Sequence, residues 1–178
     1  MKGIVFTEFF ELVEQKFGLA VVQQIIDECK LESEGIYTSV GTYSHKEMFV
    51  MVNKLSQLKR LPVSKLLQVF GEYFFNTLKA KYPAFMDKPN LFSFLYSIDQ
   101  YIHPQVLKLY PDAELPKFDA KVNSDNEMIL NYYSSRKMSD LAIGLINGAA
   151  KHFSEDVDVV KVSEEKSGEI VTIKVNKI

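Results

Sequence analysis

Tryptophan is missing from this sequence, cysteine occurs once and histidine three times. The lone thiol, Cys29, excludes an internal disulfide and any cysteine-based zinc cluster. Neither sign of charge dominates. Lys and Arg number 21 against 23 Asp and Glu, a net charge of -2, so nothing electrostatic favours nucleic acid as a partner. No apolar run approaches the ~20 residues that cross a bilayer, so no membrane partner is expected. The start, Met1-Lys2-Gly3 with Phe and Glu interleaved after it, is unlike a signal peptide, and the chain reads as cytoplasmic. Repeats and low-complexity stretches are lacking too, and the composition excludes disordered, collagenous and coiled-coil readings. The excess lies in the aromatics: 13 Phe and 9 Tyr. Such a chain either builds a large aromatic core or holds something flat and apolar. At 178 residues it can bury roughly 70% of its unfolded surface, enough for one real core.

Periodicity organises the chain. Phe6, Phe9, Phe10, Val13 and Phe17 share one helical face, and Gly18 ends that helix. A second helix spans 19–30 with Val22, Ile25, Ile26 and Cys29 inward. Ser44 and Glu47 have the spacing of a capping box before a helix that reaches about Arg60, where Pro62 intervenes. An apolar helix follows from Val63 to about Tyr82. Asn90 can cap another, running from Leu91 towards Tyr110 and stopped by Pro111. The period then changes to two. Phe118, Ala120 and Val122 alternate, as do Met128, Leu130 and Tyr132, around a turn at 123–126. A helix over 135–153 and a second hairpin, with its turn at Ser167-Gly168, complete the chain. Helices first and antiparallel strands late make the class α+β, one domain with an N-terminal helical lobe at 1–62 and the remainder at 63–178.

Of the three histidines, His45 at a helix start reads as solvated. His152, in the last turn of a helix, complements the helix dipole. His103 differs: it lies in a stretch crowded with Phe92, Phe94, Leu95, Tyr96, Ile98, Ile102 and Val106. It is either a satisfied core residue or a ligand at an apolar pocket. Pro104 beside it removes a backbone N–H and weakens the helix there. One histidine without Cys or carboxylate partners makes a poor zinc site, yet haem iron needs only one axial protein ligand. Downstream, Tyr132, Ser134 and Arg136 would share one face if extended, offering two hydroxyls and a guanidinium to a pair of carboxylates such as haem propionates. The plainer reading of that triplet is a serine cap before a helix and a solvated arginine.

Taken together, Tyr132-x-Ser134-x-Arg136, the upstream His103-Pro-Gln-Val-Leu-Lys-Leu-Tyr-Pro-Asp-Ala-Glu-Leu-Pro116, the segment Arg136 to Leu145 and the start Met1-Lys2-Gly3 resemble the haem nitric oxide/oxygen-binding (H-NOX) family over essentially the whole chain. The resemblance implies haem b (iron protoporphyrin IX) buried between a distal lobe (1–62) and a proximal lobe (63–178). It implies His103 as the proximal iron ligand and Tyr132, Ser134 and Arg136 as the propionate-binding triplet. Pro116 matches the proline that presses on the porphyrin. Val5 stands where the family often has isoleucine against the ring. Phe9 and Phe74 match distal-pocket positions, and Leu141 and Leu145 lie four apart on one face of the helix after the triplet, where they too are expected to meet the cofactor.

Leu141 bears on ligand choice. The family's O2-binding members carry a hydrogen-bonding tyrosine there, and leucine has no donor. The resemblance therefore implies NO, with CO more weakly, and exclusion of O2, unless Tyr43, Tyr73, Tyr96 or Tyr133 reaches the pocket. It also implies a non-enzymatic sensor. NO would weaken the Fe–His103 bond until it breaks, and the haem would flatten against Pro116 and Val5. The partner would be a separate sensor histidine kinase or cyclic-di-GMP enzyme, as in stand-alone bacterial members. Gly71 and Gly144, inside apolar helices, are either hinges or points of close helix packing. A haem enzyme of peroxidase type, which wants polar distal acid–base groups, and a haem-free helical adaptor are the alternatives.

Overall fold

Apolar spacing decides the helices of the first half. In α1 (Gly3–Phe17), Phe6, Phe9, Leu12 and Val13 are buried, and Gly18, at φ 86°, ends it. Helix α2 (Leu19–Glu28) buries Val21, Val22 and Ile25. Cys29, just after it, is buried as a free thiol. The computed structural model describes all 178 residues, Met1–Ile178.

Helix α3 (His45–Lys59) is capped by Ser44, whose side chain accepts from the Lys46 N–H. The expected capping box is only half formed. Instead of reaching back to Ser44, the buried Glu47 carboxylate accepts from the Ser33 hydroxyl at 2.5 Å and the Tyr37 hydroxyl at 2.8 Å. A carboxylate removed from water needs several donors, and the preceding loop supplies more of them than a helix terminus does.

Helix α4 (Val63–Lys81) serves two cores. Leu66, Leu67, Phe70 and Phe74 join the buried cluster of α1–α3, whereas Phe75 joins the cluster of the second half. The segment 91–110 is not one helix. It divides into α5 (Leu91–Ser97), a π-helical turn (Ile98–Ile102) and α6 (His103–Leu109). Pro104 explains the division, because it has no N–H for the carbonyl four residues back. The chain widens, and the His103 N–H bonds the Ile98 carbonyl five residues earlier.

The second half is an antiparallel sheet covered by helices, so the chain is α+β. Strands β1 (Lys117–Ser124), β2 (Glu127–Tyr133), β3 (Val157–Glu165) and β4 (Ile170–Lys177) lie in the order β1-β2-β4-β3. Tyr132 pairs with Val171, Leu130 with Ile173 and Met128 with Val175. All six are buried in one cluster with Phe92, Phe94 and Leu95 of α5 and Ile143 and Ile146 of α7 (Ser139–His152). No helix is long and apolar enough to cross a membrane.

Helices α4 and α7 bind the two cores together at a backbone-to-backbone crossing. A Cβ at Gly71 would stand 2.3 Å from the Leu141 carbonyl oxygen, and one at Gly144 would stand 2.1 Å from that of Gln68. Close packing therefore accounts for both glycines. Gly144→Ala is expected to destabilise the fold by about 1–3 kcal/mol, since the colliding atoms are backbone and cannot step aside. That loss outweighs the ~1 kcal/mol of helix propensity gained. Urea unfolding tests it; an unchanged or higher midpoint would contradict the close crossing.

Candidate functional site

Each predicted site residue has a definite place. His103 opens α6, immediately after the π-turn. Its side chain is 17% exposed, and its Nδ1 lies 2.7 Å from Asp99 Oδ1. Burial pushes the imidazole below the usual histidine range, while Asp99 pulls it back upward. The ring is therefore neutral near pH 7, the form that can donate a lone pair to a metal. It packs beside Phe118 (centroids 6.1 Å apart), which in turn meets Tyr132 edge-on at 5.6 Å.

The triplet is brought together, though not along an extended strand. Strand β2 ends at Tyr133, and the chain turns at Ser135-Arg136. The Ser134 hydroxyl causes the bend by accepting from the Arg136 N–H at 3.2 Å. Tyr132 is buried, and its hydroxyl accepts from the Met138 N–H at 3.1 Å. Burial pushes its phenol upward, so it remains a proton donor. The Arg136 side chain is 13% exposed and donates to Glu114 at 2.9 Å, but that carboxylate is itself 81% exposed. A sheltered guanidinium, with five N–H donors and one solvated partner, retains capacity for a further carboxylate.

Most of the apolar residues belong to or pack on the first core. Phe9 and Phe74 are buried, with Phe70 between them: Phe9 meets it edge-on at 5.5 Å, and Phe74 stacks on it at 5.7 Å. Val5, Leu141 and Leu145 are half-buried against the first core, and Leu145 also touches the second. Pro116 is half-buried just before β1.

Of the four tyrosines left open, Tyr43 accepts from the Thr38 N–H at 2.9 Å, and Tyr73 bonds Glu11 and Gln15 at the surface. Tyr96 and Tyr133 are exposed. Of the remaining histidines, His152 is exposed in the last turn of α7 and His45 is half-buried beside Phe49.

Sequence reasoning did not select three further participants. Asp99 was findable, because it lies four residues before His103. Glu114, the partner of Arg136, carries no local signal. Nor does a clasp between the chain start and the segment beyond α6: Lys2 Nζ reaches Asp112 at 3.1 Å and the Thr42 hydroxyl at 3.0 Å. Thr42 also donates to Asp112 at 2.6 Å. Gly3 lets the start lie this close, since a Cβ there would sit 1.8 Å from the Thr38 carbonyl oxygen.

The donor set suits haem. No three His, Cys, Asp or Glu side chains gather to hold a bare ion. Haem brings four nitrogen ligands of its own and asks the protein for one axial donor, hydrogen bonds to its propionates and apolar walls. A neutral imidazole, a sheltered arginine beside two hydroxyls and half-buried aliphatic side chains meet those three demands.

Comparison with known proteins agrees. A family model described as Haem-NO-binding matches residues 2–161. The Fe(II) unliganded H-NOX protein from K. algicida is 39% identical, with a TM-score of 0.95 covering 100% of this chain and 97% of that one. An H-NOX protein from S. oneidensis in the Fe(II)NO ligation state is 26% identical, with a TM-score of 0.92 covering 100% and 99%. Soluble guanylate cyclase gcy-35 of Caenorhabditis elegans is 24% identical over 172 residues, 93% of this chain but 25% of the cyclase. The chain thus spans about a quarter of that relative's length.

Proposed function

The chain belongs to the haem-NO-binding (H-NOX) family, and from that premise we propose that it is a nitric oxide sensor with His103 as the sole protein ligand to a ferrous haem b. The observation that carries the reading is the sheltered imidazole of His103, with one nitrogen already engaged by Asp99 and the other left for a metal. Haem, held by His103 and the triplet, would supply a ferrous iron able to bind NO strongly.

The chain's own residues would do the rest. Arg136, Tyr132 and Ser134 hold the propionates and so fix the cofactor's rim. Pro116 and Val5 bear on the ring. Phe9, Phe74, Leu141 and Leu145 exclude water and offer a bound gas no hydrogen bond. O2, which becomes strongly polarised on iron, loses much without a donor, whereas NO relies on its direct bond. Discrimination therefore rests on an absent donor.

Were His103 released from the iron, α6 would be free to move. The segment after α6 is tied by Asp112 to Lys2 and Thr42, so a shift of α6 reaches the distal lobe (1–62) from the proximal lobe (63–178). Helix α4, which contributes to both cores, provides the axis between them. A separate sensor histidine kinase or cyclic-di-GMP enzyme would read the change, provided it distinguishes the two states. The protein itself would perform no catalysis.

The test is the absorption spectrum of the reduced, haem-loaded protein before and after NO, and in air. A Soret band that moves with NO, together with no stable oxy spectrum, is expected. A colourless protein after haem reconstitution would eliminate the reading in favour of a haem-free adaptor. Substantial peroxide turnover would favour an enzyme.

A further inference from the structure

His103 is held more firmly than a lone axial ligand requires. The π-turn at Ile98–Ile102 forces the backbone out of α-helical register, and the Asp99 and His103 side chains close across it at 2.7 Å. Both are largely sheltered, at 21% and 17% exposed, so water competes weakly for the bond. A neutral imidazole has one N–H and one lone pair. With the carboxylate accepting from Nδ1–H, the lone pair belongs to Nε2.

We propose that Asp99 is the positioning residue that fixes the His103 ring and its tautomer and, by drawing on the Nδ1 proton, strengthens the bond His103 makes to iron. The inference rests on His103 being the iron ligand. A carboxylate behind a metal-bound histidine raises the basicity of the nitrogen facing the metal. Asp99 would thereby set how readily His103 gives up the iron. The residues proposed for the other side, Phe9, Phe74, Leu141 and Leu145, carry no hydrogen-bonding group, which leaves the proximal side as the place where sensitivity is adjusted.

The test uses the whole chain with Asp99→Asn, Asp99→Ala and Asp99→Glu. In the wild-type apoprotein, nitrogen NMR of the His103 ring should report the Nδ1–H tautomer; an Nε2–H tautomer would overturn the proposal without involving haem. In the ferrous haem-loaded protein, the iron–imidazole stretch seen by resonance Raman should fall in Asp99→Asn and Asp99→Ala. Asp99→Glu should restore at least part of it. Haem affinity of the first two should drop roughly 10–100-fold, as is usual when a metal-bound histidine loses its outer partner. More of the NO complex should lose His103 at equilibrium.

An unchanged stretch in both variants, with haem retained, would sink the role of Asp99. Failure of the wild-type protein to show any iron–imidazole stretch would instead remove His103 as the ligand, so the two failures are separable.

Discussion

His103→Gly is expected to abolish haem retention on desalting, and added imidazole is expected to restore it. The half-buried ring at the head of α6 is the one imidazole with the setting of a ligand: His152 is exposed in the last turn of α7, and His45 packs beside Phe49. On the proposed reading, removing the ring would leave Arg136, Tyr132 and Ser134 to grip the propionates but the iron without a protein bond. Glycine also opens a space that free imidazole can enter. The rescued protein should therefore be coloured, with its metal ligand no longer attached to α6. Such a protein would bind NO without any pull on the backbone, which separates gas binding from signalling. Retention of colour by the glycine variant without imidazole would disqualify His103 and point to another side chain.

On the proposed reading, Leu141→Tyr should form a lasting complex in air where the unmodified protein is expected to form none. Leu141 lies on α7 next to the crossing with α4, half-buried against the first core. A phenol there would add a donor to a setting that has none. A hydrogen bond to a charge-bearing acceptor in a dry site contributes about 1.5–3 kcal/mol. That corresponds to roughly a 10- to 100-fold gain in O2 affinity. The larger ring also strains the packing, costing about 1–3 kcal/mol of stability. Leu141→Phe is the control, carrying the bulk without the hydroxyl. Formation of a lasting oxy complex by the tyrosine variant alone is the expected result. Equal behaviour of the two variants, or a stable oxy complex in the unmodified protein, would overturn the donor argument.

The clasp at the chain start shows how function and folding share residues. Lys2, Thr42 and Asp112 lie in three segments far apart in sequence, yet they form one bonded group beside the end of α6. Lys2 also sits over the Tyr110 ring at 5.3 Å. Exposed ion pairs contribute little stability. The value of this group lies in connecting the helix that carries His103 to the lobe that carries Val5 and Phe9.

Much of this was legible in the residues alone, for a physical reason. Helices and strands announce themselves through local periodicity, and the apolar spacing of α1, α2 and α4 and the alternation in β1 and β2 are sufficient to place them. Pro104 and Asp99 were equally visible, yet the sequence reading ran a single helix through them. A π-turn differs from an α-turn by one residue per bond, which no hydrophobic pattern distinguishes. The Ser134 bend answers to neither reading of the triplet in full: the segment is not extended, and the serine bonds the Arg136 N–H in a turn rather than capping α7, a local bond that leaves no periodic trace.

The sequence by itself determined the fold class, most helix and strand positions, the candidate imidazole and the hydroxyl–guanidinium triplet, since each depends on residues near one another along the chain. Tertiary structure alone decided the insertion of β4 between β2 and β3, the touching backbones at Gly71 and Gly144, the exposed Glu114 on Arg136 and the tie from Lys2 to Asp112. Those contacts join segments that become neighbours only when the two cores have been buried, and no local pattern encodes a distance that burial itself creates.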